Sequence, residues 1–131
     1  IDLPQLGGRN AGAVLNATQS RYDDEFDLTL FGFSGGEIWV PGRHDSSRTR
    51  LRIRASDISL SRSPAESSTI LNILPATIEA IAAETTSAEL VRLSLGDDCL
   101  VARITRRSLQ RLELQVGDKV YAQIKSVTVR R

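Results

Sequence analysis

The sequence predicts an all-β fold of two related small β-barrels with one short helix. Three observations predict it: apolar residues recur with a period of two, short turn signals separate the apolar stretches, and the chain repeats itself. The first repeat spans residues 12–60 and the second spans residues 68–129; each opens with an apolar–Leu–Asn step and closes in an alternating strand. Paired repeats predict a pseudo-symmetric molecule, so we expect binding sites where repeats or subunits meet.

The first repeat is predicted to hold three strands joined by short loops. These strands are residues 21–33, 37–41 and 48–60. Within the first of them, Phe26, Leu28 and Leu30 fall on one face. A glycine-rich turn at residues 34–36 follows, which predicts a hairpin with the second strand.

The second repeat is predicted to hold four strands and the helix. These strands are residues 77–83, 89–95, 99–104 and 119–129, and the alanines of residues 77–83 leave a helix possible there. Residues 105–113 have helical spacing, with Leu109 and Leu112 facing the core and Thr105 or Ser108 able to cap the first turn. About five short strands per repeat is a barrel-type count.

Composition excludes several classes of function. The chain has 131 residues, a formal charge of +1 and 5% aromatic residues, which argues against a general nucleic-acid binder. With a single cysteine and a single histidine (Cys99 and His44), the sequence offers neither a disulfide framework nor a Cys/His metal cluster. It also contains no phosphate-binding Gly-rich loop, no apolar run of membrane-spanning length and no catalytic triad, so we expect no enzyme activity.

Three stretches of the second repeat resemble the molybdate-binding Mop (TOBE-type) module. They are SSTILN at residues 67–72, ARITRRS at residues 102–108 and QIKSV at residues 123–127. In the first repeat, GEIWVP at residues 36–41 and RASDI at residues 54–58 look like the leading half of the C-terminal domain of molybdate-importer ATPases.

The resemblance implies OB-like barrels and a division of the chain. The implied parts are a linker from an upstream ATPase domain (1–11), a first TOBE-like module (12–61), a connector (62–68) and a Mop-type oxyanion-binding module (69–131). The implied role is a regulatory and dimerising domain that senses intracellular molybdate or tungstate at a subunit interface. Its implied partners are a second subunit, the upstream ATPase domain and a membrane permease, with no nucleic acid. The implied location is cytoplasmic, on the inner face of the cell membrane, and the implied ligand is the oxyanion alone, without a cofactor.

The residues at the family's motif positions suit the chemistry of a tetrahedral dianion. Such an anion needs hydrogen-bond donors from several directions and one or two positive charges, but no metal. The candidate contacts are Thr69, Asn72, Thr105, Ser108, Lys125 and Ser126, with Arg103, Arg106 and Arg107 as possible supporting cations. Thr105 and Ser108 begin the helix, where free N–H groups favour anions, and Lys125 supplies a charge. In related modules these positions come from two subunits, which makes anion binding dimer-dependent.

Leu71 stands where many members of this family carry an arginine. Losing a charge-assisted hydrogen bond costs on the order of 1.5–3 kcal/mol, or one to two decades of affinity. One alternative is therefore a dimerisation domain that has lost its anion site. A free-standing storage protein or the effector domain of a molybdate-responsive regulator would also use such modules.

A row of arginines leaves a further alternative open. Arg48, Arg50, Arg52 and Arg54 share one face of a predicted strand, because side chains repeat every two residues. Such a row could face phosphate, a nucleic acid or a partner protein. An OB-type nucleic-acid binder would combine this row with aromatic stacking partners, the candidates being Phe31, Phe33 and Trp39. The simpler interpretation is a solvated face that the acidic run at residues 23–27 balances across the sheet.

Overall fold

The computed structural model describes residues 11–130, which form two five-stranded antiparallel sheets. In chain order the elements are β1 (Gly12–Asp23), β2 (Leu28–Phe33), β3 (Gly36–Pro41), β4 (Arg48–Arg54), a 3-10 turn (Ala55–Asp57), β5 (Ile58–Ser61), β6 (Asn72–Ala83), β7 (Ala88–Leu95), β8 (Asp98–Thr105), α1 (Arg106–Arg111), β9 (Lys119–Ile124) and β10 (Thr128–Arg130). The predicted all-β fold with one short helix is confirmed.

The two halves of the chain exchange their last strands. The first sheet has the order β10-β4-β1-β2-β3, and the second has the order β5-β9-β6-β7-β8. Strand β5 ends the first repeat but pairs with β9, and β10 ends the second repeat but pairs with β4. Each half therefore completes the edge of the other's sheet. The division into modules at residues 12–61 and 69–131 stays a prediction, because neither sheet is built from one half alone.

The internal repeat is present, but its register differs from the predicted one. Strands β1 and β6 each have 12 residues, and each contains a bulge, which falls between Gln19 and Arg21 in β1 and between Ile78 and Ala80 in β6. Matching the bulges places equivalent residues 59 positions apart. Asn72 is then equivalent to Ala13 and not to Asn16, so the two Leu–Asn steps are not equivalent. The predicted match was wrong because bulges, which the sequence does not mark, set the register.

Both halves share one hydrophobic core. Fully buried members from the first half are Leu15, Phe31, Ile38, Leu51 and Ile53, and those from the second half include Ile78, Leu93, Leu100 and Ile124. Leu109 and Leu112 of the helix region pack against this cluster, as predicted. Burying each large side chain contributes about 1.5–3 kcal/mol.

The predicted strand at residues 21–33 was wrong, because a tight turn interrupts it. The Asp23 carboxylate accepts the N–H groups of Glu25 (3.0 Å) and Phe26 (3.3 Å), and Asp27 has a positive φ of 54°. Short acidic side chains stabilise such turns in competition with a sheet. Phe26 is therefore at the turn with 66% of its surface exposed, and not on a strand face with Leu28.

The two long predicted strands at residues 48–60 and 119–129 are each broken where the chain crosses between sheets. The first breaks at the 3-10 turn Ala55–Asp57, and the second breaks at residues 125–127. In contrast, the strand predicted at residues 77–83 begins earlier, at Asn72, and is not a helix. The crossovers lie side by side, since the Lys125 N–H donates to the carbonyl of Asp57 at 2.8 Å.

Candidate functional site

A cavity of about 280 Å³ lies where β6 begins and β9 ends. Four of the six predicted oxyanion contacts line it, namely Thr69, Asn72, Lys125 and Ser126. The sequence-based prediction came from two motifs that lie more than fifty residues apart, at residues 67–72 and 123–127. The antiparallel pairing of β6 with β9 brings them together, because Asn72 is the direct partner of Ile124.

Lys125 and Ser126 follow the last residue of β9 and occupy the crossover to the first sheet. Both are exposed, as is Thr69, which also lines the cavity. The backbone of Lys125 is held by its hydrogen bond to Asp57, whereas its ammonium group takes part in no ion pair within residues 11–130. A positive charge on a fixed backbone, with two hydroxyl groups in the same lining, suits a small anion.

Asn72 is nearly buried, with 8% of its surface exposed, and its side chain binds the edge strand β3. Its Oδ1 accepts the Trp39 N–H at 2.8 Å, and its Nδ2 donates to the Trp39 carbonyl at 2.9 Å. The Asn72 amide thus makes the hydrogen bonds to Trp39 that a neighbouring strand would make at this edge of the sheet. An amide nitrogen carries two hydrogens, so one N–H of Asn72 is left for a ligand.

Thr105 and Ser108 lie at the other end of the second sheet. Strand β8 ends at Thr105, which pairs with Ala88 at the end of the sheet where β6 also ends. Asn72 lies at the opposite end of the sheet, because it begins β6. The predicted cap is confirmed: the Thr105 hydroxyl oxygen accepts the Ser108 N–H at 3.1 Å and donates to the Ser108 Oγ at 3.0 Å. The Ser108 hydroxyl proton remains available. One subunit therefore does not bring this pair to the cavity that Lys125 lines.

The three supporting arginines differ in their surroundings. Arg103 forms a two-pronged ion pair with Glu84, at 2.6 and 2.7 Å. The hydrogen bond to Glu84 raises the pKa of Arg103 above its usual value, and the pair is largely shielded from solvent. Arg103 is thus already neutralised, while Arg106 and Arg107 are exposed on α1 next to Ser108. These two remain the candidates for a supporting charge.

The arginine row of β4 does not face the acidic run across the sheet. Its direct partners on β1 are Thr18, Asn16, Val14 and Gly12. The acidic residues lie instead at the β1–β2 turn, beyond the end of this pairing, so the predicted cross-strand balance was wrong. The stacking residues of the nucleic-acid alternative are also poorly placed. Phe31 is fully buried, and Trp39 lies on β3, with two strands between it and β4.

Sequence reasoning missed the residues of β2 and β3 that line the small cavity. Leu28, Trp39 and Pro41 line it together with Lys125. In the sequence Trp39 is a candidate stacking partner, and no motif connects it to the oxyanion contacts. The connection arises from the Asn72 bonds to β3, which depend on tertiary structure.

The described part of the chain offers neither a membrane-spanning helix nor a metal-binding cluster. None of its helices has the length and apolar character needed to cross a membrane. Nor do His, Cys, Asp and Glu side chains in residues 11–130 form a group of three or more that could hold a metal ion.

Comparison with known proteins finds a similar domain family and several similar proteins. Residues 68–130 match the TOBE domain family. Molybdenum import ATP-binding protein ModC 1 of Azotobacter vinelandii is 41% identical over 132 residues, which cover 98% of this chain and 37% of that protein. ModC of Thiobacillus denitrificans is 42% identical, with 98% and 36% covered. The chain thus spans just over a third of the length of these relatives.

A solved structure shares the fold. The cytoplasmic molybdate-binding protein ModG, in a crystal form with molybdate bound, matches with a TM-score of 0.74 and 18% identity. The match covers 89% of this chain and 94% of that one. At this identity the likeness shows the fold alone, and it confirms the OB-like class.

Proposed function

We propose that this chain is a TOBE-type regulatory domain of a molybdate importer's ATP-binding subunit, a binding domain without catalytic activity of its own. Residues 68–130 match the TOBE domain family, and 98% of the chain aligns with a molybdenum import ATP-binding protein at 41% identity. The proposed ligand is molybdate or tungstate. The parent protein hydrolyses ATP at the cytoplasmic face of the membrane, together with a permease subunit.

One observation carries the proposal. The cavity gathers a cation without an ion pair in residues 11–130, two hydroxyl groups and one free amide N–H, on Lys125, Thr69, Ser126 and Asn72. These are the donors that a tetrahedral dianion requires. Their convergence does not follow from folding alone, because Lys125, Thr69 and Ser126 are exposed and contribute little to the core.

The proposed site lies between two subunits. Thr105 and Ser108 are at the far end of the sheet from Lys125, so a second subunit must supply them to a shared anion. An anion held by both subunits stabilises the arrangement that presents all its donors, which shifts the population of the dimer towards that arrangement. Molybdate inside the cell would in this way restrain further transport.

The first test is titration of the chain with molybdate, alongside the variant Lys125→Ala. We expect the variant to bind about tenfold to a hundredfold more weakly, because a charge-assisted hydrogen bond is lost. Lys119→Ala is the matched control, since Lys119 is also exposed but begins β9, at the other end of the strand. Equal affinities for the wild type and Lys125→Ala would contradict the proposed site.

A second candidate function is dimerisation without an anion, and Leu71 is the observation that favours it. This side chain lines the cavity with 61% of its surface exposed, at the position where a second cation would strengthen binding. The variant Leu71→Arg separates the two functions. If the site binds anions, Leu71→Arg should bind molybdate about tenfold to a hundredfold more tightly than the wild type. If neither the wild type nor Leu71→Arg binds molybdate, tungstate or sulfate, assembly is the role of the domain.

A further inference from the structure

A second cavity, of about 830 Å³, lies beside β4 at the first sheet. Parts of β1, β4, β10 and the loop between β3 and β4 line it. Four arginines face this space, Arg43, Arg48, Arg50 and Arg130, and Asp45 supplies the single carboxylate among its lining residues. Positive charge is therefore in clear excess around one concave surface.

The strand exchange is what concentrates the charge. Arg130 of β10 is the direct cross-strand neighbour of Arg50 of β4. Like charges in this relation destabilise a sheet. Arg48 lies two residues before Arg50 on the same exposed face. Within residues 11–130, the side chains of Arg48, Arg50 and Arg130 take part in no ion pair. The fold thus maintains an unfavourable arrangement that a bound anion would relieve.

Neutral hydrogen-bond donors complete the lining. Thr18 and Asn16 of β1 are the direct partners of Arg48 and Arg50, and both line the cavity. The hydroxyl of Ser46 lines it from the loop. Phosphate oxygens accept hydrogen bonds from guanidinium, hydroxyl and amide groups alike, so β1, β4, β10 and the loop each contribute suitable donors to the lining.

The loop between β3 and β4 is held in place before any ligand binds. The guanidinium of Arg43 stacks on the Tyr22 ring, 3.9 Å from its centre. The His44 ring packs against Phe31 at 5.6 Å, and its Nε2 lies 3.0 Å from the carbonyl oxygen of Pro41. A pre-organised loop lowers the entropic cost of binding.

We propose that this cavity binds a small ligand with two or more linked phosphate groups, such as inorganic triphosphate or a nucleoside triphosphate. Its volume falls within the range of small-molecule sites, about 300–1,000 Å³. Several planar guanidinium groups match the several oxygen faces of a polyphosphate, which a single phosphate could not engage together. A single-stranded nucleic acid would also need aromatic residues beside the arginines on which its bases could stack, and no Phe, Tyr or Trp lines this cavity.

The test is calorimetric titration of the chain with inorganic triphosphate, ATP and inorganic phosphate at low ionic strength. We expect triphosphate and ATP to bind with similar affinities, and both to bind at least about tenfold more tightly than inorganic phosphate. The double variant Arg50→Gln/Arg130→Gln should lose this binding. The variant should also melt at a higher temperature than the wild type without ligand, because the like-charge pair is gone.

The matched control is Arg111→Gln/Lys119→Gln, which removes the same charge from exposed positions in the second repeat. The control should keep triphosphate binding, and both double variants should keep their response to molybdate. If the double variant Arg50→Gln/Arg130→Gln does not fold, the single variant Arg48→Gln takes its place in the titration. The proposal is overturned if triphosphate does not bind, if the Arg50/Arg130 variant binds it as the wild type does, or if a DNA oligonucleotide binds more tightly than triphosphate.

Discussion

Replacing Gly96 by alanine is expected to lower the free energy of unfolding by about 3 kcal/mol or more. Gly96 belongs to the β7–β8 turn and has a φ of +60°, which an L-residue adopts only at a cost. A Cβ there would also lie 2.5 Å from the carbonyl oxygen of Ser34 and 2.9 Å from the Gly35 nitrogen. These are backbone atoms of the β2–β3 turn, and they cannot move aside without moving the turn.

The contact between these two turns joins the two sheets. The Ser34 hydroxyl donates to the Asp98 carboxylate at 2.7 Å and accepts the Asp97 N–H at 2.9 Å. From the other side, a Cβ on Gly35 would lie 2.4 Å from the carbonyl oxygen of Leu95. Each turn thus requires a glycine to approach the other, and an added methyl group would separate the sheets.

Chemical denaturation of Gly96→Ala and Gly32→Ala checks this prediction. Gly32 is the matched control, because the nearest atom to its added Cβ is 3.9 Å away. We expect Gly32→Ala to change stability by less than about 0.5 kcal/mol. Equal stabilities of the two variants would show that the turns do not touch in solution.

Replacing Asn72 by alanine is expected to cost about 2–3 kcal/mol of stability. The substitution leaves the N–H and the carbonyl of Trp39 without the partners that now bind them at 2.8 and 2.9 Å. The full cost of an unsatisfied group applies because Asn72 is nearly buried. Molybdate affinity should fall as well, because the cavity loses the amide donor of Asn72 and because β3, which lines the cavity, is no longer held by hydrogen bonds to Asn72.

The sequence provides both a reporter and a control for this prediction. Trp39 is the only tryptophan of the chain, so its fluorescence follows the release of β3 directly. Asn16→Ala is the matched control, because Asn16 is exposed within β1. If Asn72→Ala keeps the emission spectrum and the melting temperature of the wild type, the bonds to Trp39 do not hold the edge strand.

The sequence was sufficient where a feature depends on local chemistry. Thr105 and Ser108 cap a helix because a hydroxyl residue precedes a stretch with helical spacing. The apolar alternation of β7 and β8 predicts a hairpin, and the structure contains it. Lys125 and Ser126 were identified through a family motif, and pairing of β6 with β9 places them beside Thr69 and Asn72.

The remaining features depend on which segments meet in three dimensions. Nothing local to Asn72 predicts bonds to Trp39, which lies 33 residues away in the sequence. Beyond β9 the apolar positions shift by one residue, from Val120, Ala122 and Ile124 to Val127 and Val129. This shift alone does not show that the chain leaves one sheet for the other there. The arginine cavity was predictable only in part: Arg48 and Arg50 belong to the predicted row, whereas Arg130 meets Arg50 only through that exchange.

The most direct test of the shared oxyanion site is a mixing experiment with two defective chains. One chain carries Lys125→Ala and the other carries Thr105→Ala with Ser108→Ala. If each site combines Lys125 of one subunit with Thr105 and Ser108 of another, each defective chain alone binds molybdate more weakly than the wild type, and no site of wild-type affinity forms. A mixed dimer, however, contains one intact site. An equal mixture should therefore recover roughly a quarter of the wild-type binding capacity. No recovery in a mixture that is shown to exchange subunits would contradict a site built between subunits.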